Sequence, residues 1–160
     1  MNLKNGHFTG LSFGLTSGII TTLGLMIGLH ASNSSLAIII GGILTIAVAD
    51  SLSDALGIHL AEESKKDTSH KEVWRATIST FLMKLVTALF FILPLILLPI
   101  NWAIIFSIIV GTLGIAFLSY KIAKRRKSKA WHLIREHVLV LWVVLLAGEG
   151  IGRMIAWLAS

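Results

Sequence analysis

Five apolar runs alternate with short polar or charged links along this 160-residue chain, at about residues 10–30, 36–61, 74–98, 102–122 and 136–158. Each is close to the roughly 20 residues that a helix needs to cross about 30 Å of hydrocarbon. The pattern predicts an all-α membrane protein, with residues 1–160 forming one transmembrane domain of five helices. The links are polar at 31–35, charged at 62–72, a tight turn at 99–101, and basic at 121–135. No small-residue cleavage site follows the first run, which is therefore expected to be a retained helix rather than a signal peptide.

Within the first run Gly10, Gly14 and Gly18 recur every fourth residue. That spacing puts a smooth ridge on one helix face, where a neighbouring helix can approach closely. Gly148, Gly150 and Gly152 in the fifth run suggest a second close approach. Lys4, then Lys65, Lys66, Lys71 and Arg75, then the basic residues of 121–135 fall on one side, while 31–35 and 99–101 carry no lysine or arginine. The positive-inside rule then places the N-terminus in the cytoplasm and the C-terminus outside or in a lumen.

Composition agrees: 55% of residues are hydrophobic, 14% are charged, and the mean hydropathy is +0.84. The net charge of +6 does not point to nucleic acid, because the basic residues sit beside membrane spans. At 121–135 they form a patch suited to anionic lipid, with His132 inside it and His137 just beyond. Absence of cysteine excludes disulfides, thiolate metal sites and a cysteine nucleophile. No metal-hydrolase motif, phosphate-binding glycine loop or nucleophilic triad is present, so the chain does not read as an enzyme.

Chemistry concentrates in the second run, where Asp50 and Asp54 lie one helical turn apart in apolar surroundings. They are about 6 Å apart along the axis and about 40° apart around it. A carboxylate at membrane depth must be paired, hydrated or bound to a cation. Gly57 and Ala61 continue that face with small side chains, as the lining of a cavity for a hard divalent cation would require. The structural alternative pairs one aspartate with Lys84 of the third run and leaves the other to serine hydroxyls. Lys84 facing the pair would repel a cation, or act as a counter-ion displaced during transport.

His59 projects about 180° from Asp50 and reads as a snorkelling residue. Glu62 and Glu63 at the helix exit either gather cations at a cytoplasmic mouth or form a solvated end. Glu149 and Arg153 are spaced for an intrahelical ion pair, Arg153 being a second counter-charge. The functional alternative has Glu149 join the aspartates. Met26, Met83 and Met154 are expected to serve packing.

The residues Phe13-Gly14-Leu15-Thr16-Ser17-Gly18, continued by Ile19-Ile20-Thr21-Thr22-Leu23-Gly24-Leu25, resemble the first helix of the vacuolar iron transporter (VIT) family. That pattern is roughly F-G-x-x-D-G, then V-T/S-T and further glycine. Residues 49–64 resemble its second helix, A-G-A-x-S-M-A-x-G-E-Y-x-S-x-x-S, at Ala49, Ser53, Ala55, Gly57 and Ser64. Leu93-Pro94, Pro99 and Ile151-Gly152-Arg153 are also similar to family features.

The resemblance implies a homodimer of five-helix subunits that exports Fe²⁺ or Mn²⁺ from the cytosol in exchange for protons. No permanently bound cofactor is implied. The membrane would be the plasma membrane in a prokaryote and a vacuole-like one otherwise. The family's metal pathway is lined by a first-helix aspartate and a second-helix methionine, which fall on Ser17 and Asp54 here. The glutamate of G-E-Y falls on Ile58, and the cytoplasmic metal-binding hairpin is reduced to 62–72. One consistent account is that the carboxylate has moved to Asp54 beside Asp50, with Ser17, Thr21 and Thr22 supplying hydroxyl oxygens. Loss of the thioether would favour harder ions such as Mn²⁺ or Mg²⁺. Two other readings stand beside it: a non-transporting membrane protein whose charges are paired structurally, and a transporter of another cation.

Overall fold

The apolar runs become helices, most of whose ends lie beyond the runs themselves. The computed structural model describes residues 6–160, so Lys4 of the orientation argument lies outside the described residues. Its helices are α1 (Gly6–Ala31), α2 (Leu36–Glu63), α3 (His70–Phe90), α4 (Ile92–Leu97), α5 (Ile100–Arg126) and α6 (Ala130–Leu158). With α3 and α4 counted as one span, five are long and apolar enough to cross a membrane, and no strand occurs among the described residues.

Hydropathy marks where a helix meets lipid, not where its hydrogen bonds stop, and an established helix extends cheaply into polar sequence. The expected charged loop at 62–72 is therefore non-helical only at 64–69, and the basic stretch only at 127–129. Pro94 splits the third span. Lacking an N–H, it gives no hydrogen bond to the Phe90 carbonyl, and in an unbroken helix its ring would clash with that carbonyl. So α3 ends at Phe90, and α4 resumes after Phe91. The turn expected at 99–101 reduces to Leu98 and Pro99, because Ile100 already opens α5.

Two helix ends close on left-handed residues other than glycine. Asn33 (φ 60°) follows α1, with Asn33 N–H donating to His30 O at 3.0 Å and Ser34 N–H to Leu29 O at 3.0 Å. Lys127 (φ 53°) follows α5, with Ser128 N–H donating to Ala123 O at 3.0 Å. Both are Schellman closures, which favour glycine because a Cβ is strained there. Lys127→Gly is expected to raise stability by about 1 kcal/mol, read as a higher unfolding temperature in detergent.

The chain divides into two compact units. One holds the described residues up to Ile19 together with Leu44–Phe90; the other holds Ile20–Ile43 and Phe91–Ser160. In the first, the α1 glycines lie against the α3 backbone. A Cβ on Gly10 would overlap the Ala76 carbonyl oxygen and lie 2.8 Å from Ser79 Cβ, and one on Gly14 would lie 2.6 Å from Thr80 O. On Gly18 it would lie 2.9 Å from Thr87 Cβ, and Gly6 extends the ridge against Glu72. The α3 hydroxyls that would otherwise be orphaned bond back along their own helix: Thr80 Oγ1 to Ala76 O at 2.9 Å and Thr87 Oγ1 to Met83 O at 2.7 Å.

In the second unit, a Cβ on Gly148 would lie 2.8 Å from Gly24 O, and one on Gly152 would overlap Gly28 O. Gly150, expected to join this approach, has nothing within 4 Å of its Cβ position, because it projects from the other side of α6. The α5 face Ala103, Ile104, Ser107, Gly111, Ile115, Ser119 and Ala123 is buried at three- and four-residue spacing. His137 shares a hydrogen bond of 2.8 Å with Ser119 Oγ, tying α6 to α5, while His132 is exposed. Met26 is fully buried, but Met154 is 52% exposed and does not serve the packing of this chain.

Candidate functional site

Lys84 lies on the buried face of α3, which also carries Val73, Ala76, Thr80 and Thr87. Its side chain is 2% exposed, the largest fully buried one among the described residues. Gly14 and Gly18 bring α1 against its backbone: Cβ positions there would lie 3.1 Å from Lys84 N and 3.3 Å from Lys84 O. The side chain extends to α2. Lys84 Nζ is 2.5 Å from Asp50 Oδ2 and 2.5 Å from Asp54 Oδ2. Ser17 Oγ of α1 donates to the same Asp54 oxygen at 2.5 Å.

Three helices thus contribute to one polar cluster, each through a physical property of its residues. The two aspartates share a face because they are four residues apart. Lys84 reaches both because its flexible four-carbon stem places a compact charge with three donors. Ser17 approaches because α1 has glycine one position beyond and three before it, at Gly18 and Gly14. Two carboxylates meet one ammonium, so with all groups ionised the cluster keeps a negative charge. Charge-assisted hydrogen bonds of this kind are short and strong, and each replaces hydration that a carboxylate at membrane depth would otherwise require.

Both of the uses weighed for Lys84 therefore begin from one geometry: it faces the aspartates and binds the two together. The simpler pairing, in which only one aspartate takes Lys84, is not what is found. Sequence periodicity contains no signal for this double contact. The glycine ridge, in step with the small α3 residues, signals only that the backbones approach.

The rest of the expected α2 stripe is open. Ala61 is exposed, and nothing lies within 4 Å of a Cβ on Gly57. What α2 buries is the neighbouring stripe of Ser51, Ala55 and Glu62. His59 flanks that stripe on the side away from the aspartates and also meets α3. Its Nδ1 shares a hydrogen bond of 2.9 Å with Thr77 Oγ1, and its ring packs edge-on to Trp74 at 4.9 Å. It ties α2 to α3. Ser51, next to Asp50 and fully buried, has no hydrogen-bond partner for its Oγ in the structure.

Glu62 is 6% exposed and accepts from Lys65 Nζ at 2.5 Å, while the Glu63 side chain is 60% exposed and lies 3.8 Å from His59 Nε2. Thr21, half-buried, and Thr22, fully buried with no partner for Oγ1, belong to the second unit. So do Glu149 and Arg153, whose intrahelical pair forms as the spacing requires, with Nε to Oε1 at 2.7 Å. Among the described residues no three His, Asp or Glu side chains converge, so the carboxylate donors at the cluster are Asp50 and Asp54 alone.

Residues 11–77 match the model of the VIT family, a stretch that includes Ser17, Asp50 and Asp54 and stops short of Lys84. No curated protein and no solved structure matches the chain.

Proposed function

With the match over residues 11–77 supporting membership in the VIT family as the premise, we propose that this integral membrane protein is a transporter of divalent metal cations. It carries Mn²⁺ or Fe²⁺ out of the cytosol in exchange for protons. The observation that supports the reading is the Asp50–Lys84–Asp54 cluster with Ser17 hydrogen-bonded to it. Two carboxylates and a hydroxyl are hard oxygen donors, suited to Mn²⁺ better than to softer ions. In the absence of metal, Lys84 satisfies both carboxylates. A divalent ion takes its place, and protons bound by the carboxylates in the return step couple the two flows.

Several further elements belong to the same reading. Glu62 and Glu63 gather cations at a cytoplasmic mouth. Two subunits associate as a homodimer. The basic segment at 121–135 contacts anionic lipid, which attracts lysine and arginine close to the membrane surface.

The test is flux of Mn²⁺, Fe²⁺ and Mg²⁺ into proteoliposomes under an imposed pH gradient. Asp54→Ala is expected to remain folded, because Asp50 still pairs with Lys84, and to lose at least about tenfold in proton-coupled flux, a loss of about 1.4 kcal/mol or more in transition-state stabilisation. Undiminished flux from this variant would reject the site.

The double salt bridge also favours a second reading, in which the charges only hold the helices together and nothing is transported. Under that reading, well-folded wild-type protein shows no flux of any of the three ions.

A further inference from the structure

The Lys84 ammonium occupies the place where a cation bound to the α2 carboxylates would sit. It is within 2.5 Å of an oxygen of each aspartate and almost wholly withdrawn from the surface. The other polar group on Asp54 is the Ser17 hydroxyl, from α1. A cation entering this site therefore does not fill a vacant pair of carboxylates. It has to displace a positive charge that is covalently attached to α3.

We propose that Lys84 is a tethered competing cation that makes the site select divalent over monovalent ions. The proposal rests on the metal-transport reading above. Attachment to the chain gives the ammonium a high effective concentration at the aspartates, which no freely diffusing ion of equal charge matches. Its N–H groups also make directed, charge-assisted bonds that an alkali ion lacks. Exchanging it for Na⁺ or K⁺ replaces one unit charge by another and forfeits both advantages. A divalent ion at the same distance interacts twice as strongly with each carboxylate. That difference is large where surrounding apolar helices weaken dielectric screening. Lysine suits this role because its compact charge sits on a flexible stem and moves aside without a change in the backbone.

The arrangement also keeps the site from holding metal too tightly. With Lys84 neutralised, the two carboxylates would face the ion alone, and release to the far side would slow. The same residue therefore sets selectivity and limits affinity.

The experiment is Mn²⁺ binding to purified protein in lipid nanodiscs, with sodium or the bulky choline cation as the chloride salt. Wild type and Lys84→Arg are expected to bind Mn²⁺ equally in both salts. Lys84→Met is expected to bind Mn²⁺ about tenfold tighter or more, from loss of a nearby like charge, and to weaken when sodium replaces choline. If folded Lys84→Met keeps wild-type affinity and remains indifferent to sodium, the proposal is overturned.

Should Lys84→Met not fold, Lys84→Gln, which removes the charge, leaves both carboxylates in place and keeps a hydrogen-bond donor beside them, takes its place. Sodium sensitivity in that variant supports the tethered-cation role, and indifference rejects it. Asp54→Asn separates the two levels of the argument. Unchanged Mn²⁺ binding there would reject the metal site itself. Lost binding there, combined with unaltered selectivity on removing Lys84, would reject only the role assigned to Lys84.

Discussion

Asp50→Asn combined with Asp54→Asn is expected to cost a large part of the protein's stability, while either change alone is tolerated. The double variant removes both anions from Lys84, whose side chain is 2% exposed. An ammonium left buried without a counter-charge typically costs about 3–5 kcal/mol, a large part of the roughly 5–15 kcal/mol that holds a domain folded. Each single variant keeps one carboxylate on the ammonium at 2.5 Å. Adding Lys84→Met to the double variant is expected to restore folding, since replacing a whole buried charge cluster by uncharged groups is often neutral. Thermal unfolding in detergent, followed by the fluorescence of the five tryptophans, measures all four proteins. A double variant as stable as wild type would show that the aspartates do not hold the lysine. The triple variant is expected to fold and to move no metal, which separates the structural part of the cluster from its transport role.

Whether a residue was legible in the sequence depended on what kind of information placed it. The five spans and the glycine ridge follow from periodicity within one helix, and Gly10, Gly14 and Gly18 face α3 as that periodicity requires. Helix ends were less legible, because Lys121, Lys124, Arg125 and Arg126 end or follow the apolar run without ending the helix. The site was legible only in its parts. Asp50 and Asp54 share a face by spacing alone, but the register of α2 on α3 decides which of their atoms meet Lys84. That register depends on how the helices pack across the non-helical link at 64–69, with Ser51 and Ala55 buried on α2, and periodicity within one helix does not encode it. His59 shows the same limit. An angle of about 180° from Asp50 suggested opposite environments, yet the buried stripe of Ser51, Ala55 and Glu62 runs between them, and both reach α3.

Gly10→Leu is expected to prevent assembly of α1 with α3, giving protein that aggregates on extraction from the membrane. The first carbon of the new side chain would already overlap the Ala76 carbonyl oxygen, and it would lie 2.8 Å from Ser79 Cβ and 2.9 Å from Thr80 N. These are backbone atoms and a Cβ, so no flexible side chain can move away. The helices themselves would have to separate. Gly10→Ala poses the same conflict with one carbon and is expected to destabilise by about 1–3 kcal/mol, as overpacking of a close contact does. Gly57→Ala is the matched control: nothing lies within 4 Å of the added carbon, and better helix propensity contributes up to about 1 kcal/mol. Size-exclusion profiles and unfolding temperatures of the three variants distinguish steric conflict from a general intolerance of change at glycine. The consequence for the site follows from the same contact. The α1 ridge brings Ser17 to Asp54 at 2.5 Å, so a Gly10→Ala protein that survives extraction is expected to hold that hydroxyl less closely. Metal flux in that variant should therefore fall further than its stability alone accounts for, whereas in Gly57→Ala both should remain at or above wild type.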